Sequence, residues 1–203
     1  TQSVDKEIRG GTRKVDGTMF PRIGLVEVLE AIPGTGGHLR QRLGAEKIYA
    51  ISGQPIHGQF SVPKIAWWKD HEPSLYQRTW KFLCYGDFAL QRLGLEPVID
   101  YSMAARMLGF DNRSLSWSEE LLGAAGVDAD KLPPARASGS VVGEIPGPVA
   151  NDLGLQPGVQ VVVGGHDQPC GALGAGVLRR GEAMYAIGTT ETIMAVVKEP
   201  TPR

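Results

Sequence analysis

The sequence predicts an α/β fold in which helices flank a mixed sheet. Strand, helix and strand patterns alternate along the chain, as in domains that cover a sheet with helices. The segment VQVVVGG at 159–165 is rich in valine and has no polar face, which is typical of a strand covered on both sides. Glycine supplies 27 of the 203 residues, near twice its usual share, and indicates many tight turns or close backbone approaches.

The pattern is least regular over residues 1–44. The segment KVDGTMF at 14–20 predicts a short hairpin, because an Asp-Gly pair between extended residues favours a tight turn. The segment GLVEVLEAI at 24–32 fits either a helix or a strand. The segment IPGTGGHL at 32–39 is a glycine-rich break, as expected of a loop or a connector.

Two helices are predicted between residues 61 and 94. The segment SVPKIAWWKDHEP places a serine before an apolar run and should end before Pro73. The segment PSLYQRTWKFLCYGDFALQRLG then predicts a second helix with its proline in the first turn. We expect the inner side of that helix to carry Leu75, Thr79, Phe82 and Leu83.

Shorter elements follow in the second half of the chain. The segment SWSEELLGAAGV predicts a helix with Ser116 as N-cap, Glu119 in a capping box and Gly126 as the stop. The segment PPARASGSVVGEI leads from a loop into a strand, and GPVANDLGL predicts a short helix from Pro148 to Gly154. The segment GEAMYAIGTTETIMAVV predicts two strands that flank a Gly-Thr-Thr turn at 188–190.

Composition limits the classes of partner. A net charge of −1, from 21 basic and 22 acidic residues, gives no electrostatic case for binding nucleic acid or an anionic membrane. No apolar run approaches the ~20 residues that a membrane-spanning helix needs. The two cysteines, Cys84 and Cys170, are too few for a disulfide framework and lack metal-ligand spacing. We therefore expect reduced thiols in a soluble cytoplasmic protein, with no metal bound by its side chains.

Asp167 is the first candidate for chemistry. It follows the predicted valine strand and precedes a glycine- and alanine-rich helix, so it could simply be a helix N-cap. Alternatively, open α/β sheets bind ligands beyond the carboxyl ends of their strands, where a carboxylate can accept a proton from a substrate hydroxyl. His166 could form a general-base pair with it or bind a metal. Adjacent residues on a strand point to opposite faces, however, which favours a non-catalytic histidine.

Two further segments carry polar candidates. The segment GTTE at 188–191 is either an ordinary turn or a small nest of backbone N–H groups for phosphate oxygens. Combined with a strand-end aspartate, a phosphate nest suggests phosphoryl transfer. In DYSMAARMLGF, Tyr101 is either a core aromatic or a polar contact to a ligand.

The segment GGHDQPCGALGAGVLRRGEAMYAIGTTE resembles the FGGY carbohydrate kinases, in particular their xylulokinase-like and glycerol-kinase-like members. In that family a Gly-Gly-x-Asp stretch precedes an Ala-Leu-Gly-x-Gly helix and a strand that ends in Gly-Thr. The upstream blocks occur in the family's order: SGQP, KIAWWKDHEP, CYGDFALQRLG, DYSMAARMLGFD and WSEELLGAAGVDADKLPPARASGSVVGEI. The resemblance covers residues 45–198 and is specific because so many blocks agree in order.

The resemblance implies an actin-like, ribonuclease-H-like ATPase domain and the ATP-dependent phosphorylation of a sugar or polyol hydroxyl. It makes Asp167 the catalytic base, with Mg²⁺ holding the phosphates of ATP. It assigns Gln168 and Tyr101 to substrate binding, and Gly188, Thr189 and Thr190 to the nucleotide phosphates. The expected partners are a small sugar or polyol and ATP, and a homodimer stays open.

The sequence also departs from the family pattern. The opening Asp-x-Gly-Thr phosphate hairpin and the Trp-x-Asp-x-Arg substrate stretch are not found, and the chain ends soon after GTTE. We therefore expect residues 1–44 to be a divergent or incomplete part of the N-terminal domain and residues 45–203 to be the remainder of that sugar-binding domain. The C-terminal nucleotide domain is then absent, and the isolated fragment is expected to be inactive. A non-catalytic sugar-binding or regulatory fragment with the same fold is the alternative.

Overall fold

The computed structural model describes residues 24–26, 37–188 and 191–198. The hairpin predicted at 14–20, most of the segment at 24–32, and Thr189 and Thr190 lie outside the described residues.

Short helices and strands alternate along the described chain. The helices are α1 (Gly37–Leu43), α2 (Ala45–Ser52), α3 (Ser61–His71), α4 (Pro73–Arg78), α5 (Tyr85–Arg92), α6 (Tyr101–Ala105), α7 (Glu119–Ala125), α8 (Gly147–Asp152) and α9 (Asp167–Gly174), with a 3₁₀ turn at Ala129–Lys131. The strands are β1 (Gly24–Val26), β2 (Lys81–Leu83), β3 (Ile99–Asp100), β4 (Phe110–Asp111), β5 (Ser116–Trp117), β6 (Ala135–Arg136), β7 (Val141–Glu144), β8 (Gln160–Val162), β9 (Ala183–Ile187) and β10 (Glu191–Ala195).

Among the described residues the strands form five two-stranded sheets, and both parallel and antiparallel pairs occur. β1 pairs with β2 and β3 pairs with β6 in parallel. The pairs β4 with β5, β7 with β8 and β9 with β10 are antiparallel. The valine-rich strand is less enclosed than predicted, since Val162 is 54% exposed. Within the described chain β8 has β7 as its neighbour, and the expected covering of both its faces is not present for this strand.

One apolar core joins the helices of residues 37–132 to the short strands between them. Its buried side chains include Leu39, Ile48, Phe60, Val62, Ile65, Phe82, Ile99, Leu108, Phe110, Leu121, Leu122 and Leu132. Helix α6 belongs to this core through Ala104, and partly buried Tyr101 and Met103 pack against it. The core therefore fixes the corner where β3 turns into α6, and this corner becomes part of the candidate site.

The second helix predicted between 73 and 94 is interrupted. α4 ends at Arg78, β2 occupies Lys81–Leu83, and α5 begins at Tyr85. Phe82 and Leu83 are consecutive buried residues, a pattern that a strand satisfies by packing on two faces and that one helix face does not. The pairing of β2 with β1 supplies the main-chain hydrogen bonds that a continued helix would have made, so tertiary contacts overrode local helix propensity.

The ends of the shorter helices mostly follow the sequence. Gly126 ends α7 in the left-handed conformation, with φ 72°, as predicted. The N-cap of α7 is Ser118 rather than Ser116: Ser118 Oγ accepts from the Leu121 amide at 3.2 Å, whereas Ser116 lies in β5. Helix α8 lies where GPVANDLGL predicted it. Of the helices in the described ranges, none has the length and apolar character that a membrane crossing needs.

Candidate active site

The turn between β8 and α9 carries the most polar of the predicted site residues. Val163, at the start of the turn, is buried; its amide donates to the Ser140 carbonyl at 2.9 Å, and its carbonyl accepts from the Gly139 amide at 2.8 Å. Gly164 and Gly165 then lead into α9. A buried anchor followed by two glycines therefore places the start of α9 directly after the carboxyl end of β8.

Asp167 is the first residue of α9, and His166 is the N-cap. The sequence-based alternative that Asp167 itself caps the helix is therefore wrong. Its Oδ1 accepts from the Gln168 amide at 2.8 Å, and its side chain is 80% exposed. An exposed carboxylate at a helix start is open to a hydroxyl from a bound molecule, and the helix dipole favours its negative charge.

His166 and Asp167 lie side by side. His166 Nδ1 is 2.8 Å from Asp167 Oδ1 and 3.2 Å from the Gln168 nitrogen. Since one nitrogen cannot donate and accept at once, we assign the proton to Nδ1, which then donates to the carboxylate at the shorter distance. The expectation that these neighbours point to opposite faces is wrong because β8 ends at Val162, and both residues lie beyond the strand.

Gln168 carries an unpaired acceptor. Its Oε1 is buried and makes no hydrogen bond to any described residue. Buried polar atoms are nearly always paired in folded proteins, so an exception beside an exposed carboxylate requires an explanation. A substrate contact of Gln168 stays a prediction.

The corner between β3 and α6 holds a second aspartate in a different setting. Asp100 caps α6, is 8% exposed, and its Oδ1 accepts from the Met103 amide at 3.0 Å and from the Ser102 hydroxyl. Tyr101, the first residue of α6, is half-buried, with its ring 5.8 Å from the ring of Phe110. Tyr101 is thus both a core aromatic and a residue with remaining exposure, which leaves a ligand contact open to its hydroxyl.

The two corners are joined directly. The His166 amide donates to Ser102 Oγ at 2.8 Å, across 64 positions of sequence. A Cβ on Gly165 would lie 3.0 Å from Cys170 Sγ, 3.5 Å from Ser138 Oγ and 3.6 Å from Ser102 Oγ, so the backbone is closely surrounded here. The structure therefore brings the segment that contains Tyr101 to the segment that contains Asp167 and Gln168.

The predicted phosphate turn lies at the end of the β9–β10 hairpin. Gly188 is exposed directly after β9, and Thr189 and Thr190 are outside the described residues. The hairpin packs against α9, where a Cβ on Gly171 would lie 3.7 Å from Met184 Sδ. The hairpin is thus in contact with the helix that Asp167 begins, and the nucleotide role of its turn stays a prediction.

A third acidic residue, which sequence reasoning missed, lies behind the corners. Asp87 Oδ2 accepts from the Cys84 amide at 2.9 Å in the first turn of α5. The pKa of Asp87 is raised to about 7, chiefly by burial and in smaller part by the negative charge of Asp100, against the opposing effect of the hydrogen bond from the Cys84 amide. The sequence signal is a polar residue three positions after Cys84, which is the offset of a capping box.

Side-chain ligands for Mg²⁺ are scarce at these corners. Across the ranges that the structure describes, no three His, Cys, Asp or Glu residues form a group able to hold a metal ion. The Asp100 carboxylate is buried and already accepts two hydrogen bonds, which leaves the exposed Asp167 as the acidic group at the turn.

Comparison with known proteins gives a consistent result. Residues 34–174 match the model of the FGGY family of carbohydrate kinases, N-terminal domain. The chain is 36% identical over 161 residues to the xylulose kinase of Bacillus subtilis, covering 79% of this chain and 32% of that protein. It is 26% identical over 167 residues to the gluconokinase of the same organism, covering 82% of this chain and 33% of that protein.

Solved structures agree with the sequence matches. The crystal structure of xylulose kinase from Rhodospirillum rubrum superposes with a TM-score of 0.70 at 26% identity, over 78% of this chain and 33% of that chain. The chain spans about a third of the length of the curated relatives it matches. With the family model matching from 34 to 174, the chain belongs to the FGGY family of carbohydrate kinases and has their actin-like α/β fold.

Proposed function

We propose that the chain is the sugar-binding part of a kinase that transfers the γ-phosphate of ATP to a hydroxyl of a sugar or polyol. The observation that carries the proposal is the pairing of an exposed carboxylate, Asp167, with a buried and unpaired acceptor, Gln168 Oε1, at one helix start. A sugar hydroxyl can donate to each of them. Membership of a sugar kinase family supports this reading of the pair.

Asp167 is the proton acceptor in this proposal. As the sugar hydroxyl oxygen forms its bond to the γ-phosphorus, the bond to the bridging β-phosphate oxygen breaks, and the hydroxyl proton passes to the carboxylate. The Gln168 amide and His166 Nδ1 each lie 2.8 Å from Asp167 Oδ1 and hold the carboxylate in one orientation. The products are the sugar phosphate and ADP.

The remaining predicted residues orient the reactants. Gln168 and Tyr101 bind the sugar, and Gly188, Thr189 and Thr190 contact the phosphates of ATP. When bound, Mg²⁺ would neutralise part of the negative charge of the phosphates. We assign residues 45–203 to the sugar-binding domain and residues 1–44 to its divergent beginning. The need for ATP and the reduced state of Cys84 and Cys170, which form no disulfide, favour a cytoplasmic location.

The test is phosphotransfer by a full-length kinase that carries this chain, measured as ADP release with pentoses, hexoses and polyols. We expect Asp167→Asn to lower kcat by about 100- to 10,000-fold, because the substitution removes the proton acceptor. Asp152→Asn, at an exposed aspartate at the end of α8, is the matched control and should leave kcat unchanged.

Two results would contradict the proposal. A wild-type rate in Asp167→Asn would exclude this carboxylate as the base. Sugar binding by the wild-type protein without ADP release for any sugar would favour the alternative, a non-catalytic sugar-binding fragment. We also expect the 203 residues alone to be nearly inactive, since they span about a third of the kinases they resemble.

A further inference from the structure

The turn that carries Asp167 is anchored on both sides of its two glycines. Glycine has more backbone freedom than any other residue, so a Gly-Gly pair holds one geometry only when its ends are fixed. On the β8 side, Val163 is buried and its amide donates to the Ser140 carbonyl at 2.9 Å. On the α9 side, the His166 amide donates to Ser102 Oγ at 2.8 Å. The second anchor is therefore a side chain from a distant corner.

Ser102 is itself oriented by Asp100. A carboxylate only accepts hydrogen bonds, so the Ser102 hydroxyl must donate to Asp100 Oδ1. The lone pairs of Ser102 Oγ are then directed to other donors, and the His166 amide is one of them. Asp100 is 8% exposed, and its carboxylate also caps α6 by accepting from the Met103 amide. This buried carboxylate, rather than solvent, therefore sets the direction of the Ser102 hydroxyl.

Side chains that lie close to Gly165 leave little room for another conformation of the backbone at this residue. A Cβ on Gly165 would lie 3.5 Å from Ser138 Oγ and 3.6 Å from Ser102 Oγ, which places both serines against the bare backbone. Asp167 follows His166 directly, so a shift of the His166 amide moves the start of α9 and the carboxylate on it.

We propose that Ser102, oriented by Asp100, is a positioning residue that holds the Asp167 carboxylate in its reactive place. This inference rests on the proposed role of Asp167 as proton acceptor. Neither Ser102 nor Asp100 has to touch the substrate, since both act through the main chain of His166. Loss of the anchor releases the glycine pair, and a misplacement of about 1 Å at a reacting group costs about 100-fold in rate.

The first experiment measures amide hydrogen exchange in the full-length kinase that carries this chain. In Ser102→Ala we expect the His166 amide to exchange about tenfold faster, the change that follows from losing one hydrogen bond. The Leu121 amide, which donates to Ser118 Oγ at 3.2 Å, is the internal reference and should not change. Ser140→Ala is the matched control, because Ser140 Oγ donates within its own turn, to the Ala137 carbonyl.

An unchanged His166 amide in Ser102→Ala would overturn the anchor. If the Leu121 amide also exchanges faster in Ser102→Ala, the substitution has changed the fold. In that case Asp100→Asn is the second variant that tests the anchor. It keeps an acceptor oxygen for Ser102 but removes the charge, so we expect a smaller acceleration at His166 with Leu121 unchanged. No acceleration in that variant would likewise overturn the proposal.

The second experiment measures kinetics in the full-length kinase. We expect Ser102→Ala to lower kcat by about 10- to 100-fold with the KM for ATP within about twofold, because positioning acts on the chemical step. Ser102→Thr retains the hydroxyl and should restore most of the rate. In an Asp167→Asn background, adding Ser102→Ala should change the residual rate by less than about twofold, because one residue acts through the other.

The outcomes separate this inference from the proposed function. A wild-type rate in Asp167→Asn contradicts the proposed function. A loss in Asp167→Asn beside a wild-type rate in Ser102→Ala contradicts the positioning role alone. Equal proportional losses from Ser102→Ala in both backgrounds also contradict it, since they indicate that Ser102 acts independently of Asp167.

Discussion

Two strand-to-helix corners of this chain each place an aspartate at the start of a short helix, but the carboxylate is buried at one corner and exposed at the other. At the β3–α6 corner, Asp100 is the N-cap, is 8% exposed and accepts from Met103 and Ser102. At the β8–α9 corner, Asp167 lies one position later, as the first helical residue, and its side chain is 80% exposed. The two corners therefore differ by one residue at the helix start, with a buried N-cap carboxylate at one and an exposed carboxylate in the first helical position at the other.

A third aspartate extends the comparison. Asp87 lies in the first turn of α5, is 4% exposed and accepts from the Cys84 amide. Its pKa is raised to about 7 by burial, with the charge of Asp100 adding to the effect. All three residues are aspartates at helix starts. Their burial and their position relative to the first helical residue determine whether each carboxylate is enclosed or exposed.

The largest effect on stability is expected from Asp87→Asn at high pH. The pKa of Asp87 rises from 3.8 to about 7 on folding, so its contribution is fully present below pH 3.8 and is lost as pH rises through about 7. The free energy of unfolding of the wild type should therefore fall across that window. Asparagine keeps an acceptor for Cys84 without the charge, so the advantage of the variant should grow with pH, by up to about 4 kcal/mol.

Urea unfolding at about pH 5 and about pH 8 measures the part of this difference that falls between those two values, about 3 kcal/mol. Asp152→Asn is the control, since that aspartate is exposed and should leave the pH dependence of the wild type in place. An identical pH dependence in the wild type and in Asp87→Asn would show that Asp87 ionises normally in the folded chain.

The next effect compares Asp100→Ala with Asp167→Ala in unfolding free energy. We expect Asp100→Ala to cost about 2 kcal/mol, because α6 loses its cap and Ser102 loses its acceptor. Asp167→Ala should cost less than about 1 kcal/mol, the value of an exposed charge in a first helical turn. Equal losses in urea unfolding would mean that burial does not distinguish the two corners.

A smaller effect is expected at the glycines of the β8–α9 turn. A Cβ on Gly165 would lie 3.0 Å from Cys170 Sγ, so we expect Gly165→Ala to cost about 1 kcal/mol in overpacking. Gly164 has open space around it and is the matched control, with Gly164→Ala expected within about 0.5 kcal/mol of the wild type. Thermal unfolding of both variants checks the difference, and a reversed order would contradict the close packing at Gly165.

The smallest effect concerns the serine that caps α7. Ser118→Ala should cost about 1 kcal/mol because the Leu121 amide loses its acceptor. Ser116→Ala, at an exposed position in β5, should stay within about 0.5 kcal/mol of the wild type. Urea unfolding distinguishes the two. A larger loss of unfolding free energy in Ser116→Ala than in Ser118→Ala would support Ser116, the residue that the sequence predicted, as the N-cap.

Several features of the fold were predictable because their signals are local. Gly126 at the end of α7, helix α8 and the paired strands around the 188–190 turn follow from turn residues and short-range patterns. The break at β2 was not predictable in this way, because KFL is compatible with a helix until β1 pairs with it. The choice of Ser118 over Ser116 depends equally on where β5 meets β4.

The candidate site likewise has features with local sequence signals and features that depend on tertiary contacts. Ordered blocks of residues along the chain identify the family, and the position of Asp167 after a predicted strand marks it as a candidate. Tyr101 is marked by its own segment, and Gln168 is marked only by the resemblance to the family. Only the tertiary structure decided which aspartate is buried and which is exposed, that His166 lies against Asp167, and that Ser102 holds the turn from 64 positions away. Burial and long-range hydrogen bonds arise when distant segments pack together, and no local pattern encodes that meeting.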